Sequence, residues 1–180
     1  ADAYLSPLLL RYVGKIRARL ENETRLFFMQ SSGGLAEASA FRGKDAVLSG
    51  PAGGIIGMAR VAAEAGFPLT IGFDMGGTST DVCLIRDGEP AKKSERQMGG
   101  FPVRTRTIDI HTIGAGGGSI AWVDAGGLLK VGPQSAGAFP GPAAYGRGGT
   151  KPTVTDANVV LGRLNPKSLL GGRMQMHADR

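Results

Sequence analysis

The sequence contains one cysteine, few aromatic residues and no long apolar run. Because Cys83 is the single cysteine, the chain has neither an internal disulfide nor a zinc site built from several cysteines. Aromatic residues make up 6% of the chain, and its net charge of +6 comes from scattered lysines and arginines, whereas nucleic-acid-binding modules concentrate basic and aromatic residues. A membrane helix needs about 20 apolar residues, and a signal-peptide pattern is absent. We therefore expect a cytoplasmic protein that binds neither nucleic acid nor a membrane.

Glycine, in contrast, is abundant. It accounts for 30 of the 180 residues, about 17% against the usual share of about 7%, and many of these glycines lie in the second half of the chain. The hydrophobic share of 42% and the charged share of 20% are those of a globular protein. The composition therefore excludes a disordered chain and a coiled coil, and it predicts a globular fold with many tight turns.

Hydrophobic periodicity predicts helices and strands in mixed order. The predicted helices cover residues 4–20, 51–66 and 155–164, with Thr155 as the cap of the last one, and the predicted strands cover residues 25–30, 69–73, 82–85, 107–113, 119–123 and 128–131. Residues 133–152 are predicted to form an irregular loop. Cys83 alternates with Ile85 on its strand and is expected in the core. This order predicts an α/β fold, a mixed sheet with flanking helices.

Asp74–Asp81 carries the most informative motif, Asp-x-Gly-Gly-Thr-x-Thr-Asp, between two predicted strands. Its glycines would let the backbone approach phosphate oxygens closely, and its hydroxyl groups could donate hydrogen bonds. Either terminal aspartate could hold Mg²⁺ directly or through water. The alternative is a polar turn whose hydroxyl groups bond only to its own backbone.

Asp109 and His111 form a second candidate site. Their spacing of two places both side chains on one face of a predicted strand, where they could share a metal or act on a substrate proton. The alternative is a hydrogen-bonded structural histidine. The adjacent glycines, residues 114–118, precede a predicted strand rather than a helix, so they do not form a dinucleotide fingerprint. Their amides either hold a carbonyl or phosphate oxygen or only form a tight turn beneath the sheet.

Several motifs together resemble those of one known family. They are residues 29–34 (MQSSGG), 49–54 (SGPAGG), 73–82 (FDMGGTSTDV), 109–119 (DIHTIGAGGGS), 132–137 (GPQSAG), 141–142 (GP) and 152–157 (PTVTDA). They are similar to the hydantoinase A and 5-oxoprolinase family, which also includes ATP-dependent ketone carboxylase subunits. The resemblance implies one lobe of the actin-like, or ribonuclease H-like, ATPase fold. One departure is Ala144, where many family members have a cysteine.

The resemblance also implies a function and roles for individual residues. It implies the ATP-dependent subunit of a cyclic amide hydrolase of the hydantoinase or 5-oxoprolinase type, which phosphorylates the substrate oxygen with ATP and Mg²⁺ or another divalent metal. The implied phosphate-binding residues are Asp74, Gly76, Gly77, Thr78, Ser79 and Thr80; the implied metal ligands are Asp74 and Asp81; and the implied catalytic residues are Asp81, Asp109 and His111.

The family's first-lobe phosphate loop and adenosine motif do not occur in residues 1–180. We therefore expect a second-lobe fragment of a hydantoinase A domain, inactive alone, whose partners are the rest of its parent chain, a hydantoinase B-type subunit or domain, and a small cyclic amide. Two alternatives remain open at this point: an acetone or acetophenone carboxylase subunit, and a non-catalytic scaffold domain.

Overall fold

The computed structural model describes residues 2–167 and 169–179. Its four α-helices are α1 (Asp2–Arg17), α2 (Gly43–Ala46), α3 (Ser49–Glu64) and α4 (Val154–Val160), with 3₁₀ turns at Ala143–Tyr145 and Leu169–Gly172. The strands are β1 (Phe27–Met29), β2 (Leu35–Glu37), β3 (Leu69–Met75), β4 (Thr80–Arg86), β5 (Glu89–Pro90), β6 (Lys92–Lys93), β7 (Arg96–Met98), β8 (Phe101–Val103), β9 (Thr107–Ile108), β10 (His111–Ile113), β11 (Ser119–Val123) and β12 (Leu129–Ser135). Among the described residues, no helix is long and apolar enough to cross a membrane.

The chain divides into two compact units. The first contains the residues up to Asp74 together with Val82–His111, and the second contains Met75–Asp81 and the residues from Thr112 onward. The division falls within strands β3, β4 and β10, which belong to a four-stranded sheet with the order β10-β4-β3 and with β5 paired to β4. Each unit is described separately below.

Helix α3 covers one face of the sheet in the first unit. Ile55 and Met58 of α3 lie against Gly72 of β3, close enough that a Cβ atom there would be only 3.2–3.3 Å from their side chains. The buried core consists of Ala52, Ile55, Cys83, Ile108 and Ile110. Cys83 is 2% exposed, and burial raises the pKa of its thiol. The prediction that Cys83 is a core residue is confirmed.

A second cluster in the first unit involves helix α1. Val13 of α1 is buried with Ala36 of β2 and Phe41. The rings of Phe28 and Phe41 stack with their centroids 5.1 Å apart, and β1 pairs antiparallel with β2. Part of the apolar stripe that the sequence predicts on α1 therefore packs against this hairpin.

In the second unit, β11 and β12 form an antiparallel pair, and helix α4 is fastened by Asp156. The carboxylate of Asp156 accepts hydrogen bonds from the amides of Ala144 and Thr153 and from the Thr153 hydroxyl, each at 2.8 Å. The Thr153 hydroxyl in turn accepts from the amide of Asp156, which completes a capping box. Ala144, Val159 and Met176 form the buried cluster around this junction.

The structure corrects several predicted boundaries, and β12 extends to Ser135, into the predicted loop of residues 133–152. The cap of the last helix is Thr153, not Thr155, because the Thr153 side chain bonds to the third residue of the helix, and the helix ends at Val160. The predicted strand 107–113 is two strands. The amide of Ile110 donates to the carbonyl of Ile108, and the amide of Asp109 donates to the carbonyl of Ala91. As a result β9 pairs with β6, whereas β10 pairs with β4.

Candidate functional site

The polar turn between β3 and β4 lies in the second unit and consists of Gly76, Gly77, Thr78 and Ser79, here called the 76–79 turn. The amide of Gly76 donates to the carbonyl of Ser79 at 2.9 Å, which closes the turn. Gly76, Gly77 and Thr78 are exposed, and Ser79 is half-buried. The turn therefore presents backbone and hydroxyl groups on an accessible surface.

Neither glycine of the 76–79 turn is required by the surrounding protein. Neither has a positive φ angle, a Cβ atom at Gly77 would meet nothing within 4 Å, and one at Gly76 would make only an ordinary contact of 3.5 Å with the Ser79 carbonyl. In proteins generally, a turn requires glycine where the backbone adopts a left-handed conformation or approaches another group closely. The space in front of Gly77 is therefore open, and the protein itself would accept a small side chain there.

A second run of glycines, residues 114–118 and here called the 114–118 loop, supports the 76–79 turn within the same unit. The amide of Gly117 donates to the carbonyl of Gly76 at 2.9 Å, and that of Gly118 donates to the carbonyl of Gly77 at 2.6 Å. The amide of Gly116 donates to the Ser119 hydroxyl at 2.9 Å. These three amides are therefore already bonded within the protein, which favours the supporting turn over the alternative of a ligand-binding loop.

Thr80 belongs to this support rather than to the exposed surface. It is 2% exposed, and its hydroxyl donates to the carbonyl of Ala115 at 2.6 Å. The sequence groups Thr80 with Thr78 and Ser79 as donors to phosphate, but in the structure the hydroxyl proton of Thr80 is directed at the 114–118 loop. Thr78 and Ser79 are the hydroxyl residues left on the accessible side of the turn.

Asp74 and Asp81 flank the turn in sequence and belong to different units. In the first unit, the carboxylate of Asp74 lies against α3, since a Cβ atom at Gly54 would be 2.7 Å from its Oδ2 atom. In the second unit, Oδ1 of Asp81 accepts a hydrogen bond from the Thr112 hydroxyl at 2.6 Å. In the described part of the chain, no three His, Cys, Asp or Glu side chains are grouped to hold a metal ion.

Asp109 and His111 line one cavity of about 780 Å³ in the first unit. The Oδ1 atom of Asp109 lies 3.0 Å from Nζ of Lys93 and 3.4 Å from Nη2 of Arg96, and Arg96 also donates to the carbonyl of Ile110 at 2.8 Å. His111 is exposed at the cavity wall. The structure thus brings both predicted residues to one cavity, although the predicted strand that contains them is interrupted. It also places two cations, Lys93 and Arg96, beside Asp109. The sequence analysis gives these cations no role.

Comparison with known proteins identifies the family. The sequence matches the hydantoinase/oxoprolinase family over residues 1–180. The chain belongs to the hydantoinase/oxoprolinase family. The predicted membership is therefore confirmed.

Two relatives of this chain are several times longer than it is. The chain is 48% identical over 172 residues to the 5-oxoprolinase of Saccharomyces cerevisiae, covering 93% of this chain and 13% of that protein. It is 43% identical over 183 residues to caprolactamase subunit alpha of Pseudomonas jessenii, covering 98% of this chain and 26% of that protein. The chain thus spans between about an eighth and a quarter of the length of these relatives.

Two solved structures share the fold. The crystal structure of the ATP-dependent caprolactamase from Pseudomonas jessenii matches with a TM-score of 0.75 and 41% identity over 98% of this chain and 26% of that one. A nucleotide-free structure of acetone carboxylase, described for ATP-dependent acetone carboxylation, matches with a TM-score of 0.75 and 29% identity over 94% of this chain and 24% of that one. The predicted mixed α/β fold is confirmed, and these matches agree with one lobe of an actin-like ATPase.

The packing of the 114–118 loop predicts a contrast between two glycine substitutions. In Gly116→Ala, the new Cβ would lie 2.7 Å from the Gly76 carbonyl oxygen and from the Thr78 amide nitrogen. Because these are backbone atoms, we expect the free energy of unfolding to fall by about 1–3 kcal/mol and the amides of Gly117 and Gly118 to exchange faster with solvent. Urea denaturation and hydrogen exchange measure both effects.

The matched control is Gly114→Ala, because a Cβ atom at Gly114 would meet nothing within 4 Å. This variant should keep its free energy of unfolding within about 0.5 kcal/mol of the original chain. Equal effects of the two substitutions would contradict the supporting role given to the 114–118 loop.

Proposed function

We propose that this chain is the phosphate-binding part of the ATP-dependent subunit of a cyclic amide hydrolase of the hydantoinase or 5-oxoprolinase type. The single observation that carries the proposal is the 76–79 turn, in which Gly77 faces open space and whose backbone is held from behind by the 114–118 loop. A phosphate group needs such an accessible, glycine-lined backbone with hydroxyl donors beside it. Thr78 and Ser79 are those donors in this proposal.

The proposed chemistry explains why ATP would be used. The amide bond of a small ring resists hydrolysis. Transfer of the γ-phosphoryl group from ATP to the amide oxygen, with release of ADP, activates the ring carbon so that water adds to it. Expulsion of the ring nitrogen then opens the ring, and hydrolysis of the remaining acyl phosphate releases phosphate. The phosphoryl transfer depends on positioning and on neutralising the charge of the phosphates. We assign the positioning of the phosphates to Gly76, Gly77, Thr78 and Ser79, and the contact with the substrate to Asp109 and His111.

The residues present fit a divalent cation such as Mg²⁺. Mg²⁺ is usually held by one or two carboxylates together with the phosphates of the nucleotide and water, so a cage of protein ligands is not required. Either Asp74 in the first unit or Asp81 in the second unit is the carboxylate that would hold it, directly or through water, or that would orient the attacking water. When bound, the cation would neutralise negative charge on the phosphates during transfer.

The proposal includes the remainder of a longer protein. We infer that a first lobe with its own phosphate loop and adenosine motif, together with a hydantoinase B-type subunit or domain, completes the active site, and that the protein acts in the cytoplasm. The relative in Pseudomonas jessenii is named as a subunit, which supports an assembly of several chains. The nucleotide would be bound weakly by the present chain alone, because the other lobe supplies the remaining contacts.

A ketone carboxylase subunit is the second candidate function. The observation that favours it is the match to acetone carboxylase at a TM-score of 0.75. The sequence identity to that structure is 29%, against 41% for the caprolactamase structure and 48% for the yeast 5-oxoprolinase. This difference supports the hydrolase over the carboxylase.

The two candidates predict different stimulation of ATP turnover by substrates. We expect ADP release by the full-length protein with its partner subunit to rise in the presence of hydantoin or 5-oxoproline. Acetone with bicarbonate should leave it at the basal rate. A rise only with acetone and bicarbonate would favour the carboxylase, and no rise with any of these compounds would favour the non-catalytic scaffold.

The role of the 76–79 turn predicts the effect of Gly77→Ala. The methyl group fits the protein but occupies the space proposed for phosphate, so kcat/KM for ATP should fall by at least about tenfold while the free energy of unfolding changes by less than about 0.5 kcal/mol. Steady-state ATP turnover and urea denaturation of the full-length protein measure these quantities.

The control is Gly57→Ala in helix α3, because Gly57 also has nothing within 4 Å of an added Cβ atom and has no positive φ angle. Its turnover should equal that of the original protein. If Gly77→Ala keeps kcat/KM for ATP at the level of the Gly57→Ala control, phosphate does not bind in front of Gly77.

A further inference from the structure

We propose that Thr112 is a positioning residue that orients the Asp81 carboxylate. The inference rests on the proposed function, because it concerns the aspartate assigned there to the metal or to the attacking water. Its basis is the hydrogen bond of 2.6 Å from the Thr112 hydroxyl to Oδ1 of Asp81, two residues that are 31 positions apart in sequence. Both residues belong to the second unit.

The surroundings of Asp81 indicate why its side chain needs such a contact. Asp81 follows Thr80, whose hydroxyl fixes the local backbone by donating to Ala115. The backbone of Asp81 is therefore held from one side, but the aspartate side chain can still rotate, and its terminal torsion has a broad distribution. The bond from Thr112 selects one orientation for Oδ1 and leaves Oδ2 for another partner.

The chemistry of threonine suits this task. A branched Cβ atom restricts the first side-chain torsion, so the hydroxyl of Thr112 is held in few orientations. The hydrogen bond has an ionisable carboxylate as acceptor, and such bonds are stronger than those between neutral groups. Thr112 is exposed and Asp81 is half-buried, so formation of the bond buries little surface. Its main effect is on the direction of the carboxylate before a ligand arrives, which is the preorganisation that a reactive site needs.

This role makes Thr112 different from the glycines beside it. Gly116, Gly117 and Gly118 support the backbone of the 76–79 turn, whereas Thr112 contacts a side chain that the proposed reaction uses. Substitution of a glycine is expected to change the stability of the turn. Removal of the Thr112 hydroxyl is expected to change the rate of the chemical step.

Two variants of Thr112 in the full-length protein test the proposal. Thr112→Val removes the hydroxyl but keeps the branched side chain, and it should lower kcat for ATP turnover by about tenfold while KM for ATP stays within about twofold. Thr112→Ser keeps the hydroxyl and should retain kcat within about threefold. Urea denaturation should show that Thr112→Val loses no more than the contribution of one exposed hydrogen bond, about 1 kcal/mol, and that Thr112→Ser keeps the free energy of unfolding of the original protein.

A double-mutant cycle with Asp81→Asn separates this inference from the proposed function. If Thr112 acts through Asp81, adding Thr112→Val to Asp81→Asn should lower kcat by less than twofold further. The same cycle followed by urea denaturation should show coupling between the two positions, which is a measure of the hydrogen bond that does not depend on turnover.

The experiment distinguishes failure of the role proposed for Thr112 from failure of the role proposed for Asp81. Asp81→Asn with unchanged turnover would remove both the assigned role of Asp81 and the positioning role of Thr112. Loss of turnover in Asp81→Asn with a kcat of the original size in Thr112→Val would overturn the role of Thr112 alone. Equal losses in Thr112→Val and Thr112→Ser, or a loss that follows the change in stability, would also overturn it, because the hydroxyl would not be responsible.

Discussion

The arrangement of the second unit depends on two backbone hydrogen bonds, from Gly117 to Gly76 and from Gly118 to Gly77. They leave the outer face of the 76–79 turn open while its carbonyls are bonded from behind. The glycines of the 114–118 loop allow this contact, because a Cβ atom at Gly118 would lie 2.9 Å from the Gly77 carbonyl oxygen. A loop with side chains at these positions would keep the two backbones apart, and the turn would lose its support.

The supporting loop is itself held by the rest of the unit. The amide of Thr155, in the first turn of α4, donates to the carbonyl of Gly117 at 2.7 Å, and the amide of Ala136 donates to that of Gly118 at 2.8 Å. Asp156 fixes the start of the same helix. The exposed turn is therefore connected through successive hydrogen bonds to a helix and to the chain that follows β12.

The sequence predicts much of this fold and identifies the segments that form the site. Periodicity locates α1, α3, and strands β3 and β4 because each of these elements has a clear apolar pattern. The predicted helix of residues 51–66 ends two residues after the observed end of α3 at Glu64, and Gly66 follows the C-cap residue Ala65 with a φ angle of +80°. The spacing of Thr153 and Asp156 is that of a capping box, so the correct cap could have been predicted from the sequence as well.

What the sequence does not predict depends on contacts between distant residues. The break between β9 and β10 arises because the amide of Asp109 bonds to Ala91, and no local pattern indicates that partner. The motif suggested a phosphate contact for Thr80, but only the fold shows that its hydroxyl faces Ala115. Thr112 received no role from the motifs, since its bond to Asp81 joins residues far apart in the chain.

The central claim is that the 76–79 turn binds the phosphates of a nucleotide while the 114–118 loop only supports it. Hydrogen exchange of the full-length protein, followed by mass spectrometry with and without Mg-ATP, tests this claim most directly. The account predicts that a peptide covering residues 76–79 exchanges more slowly when Mg-ATP is present, whereas the amides of Gly117 and Gly118 are protected in both conditions because they are bonded within the protein. Unchanged exchange at residues 76–79 with saturating Mg-ATP would contradict it.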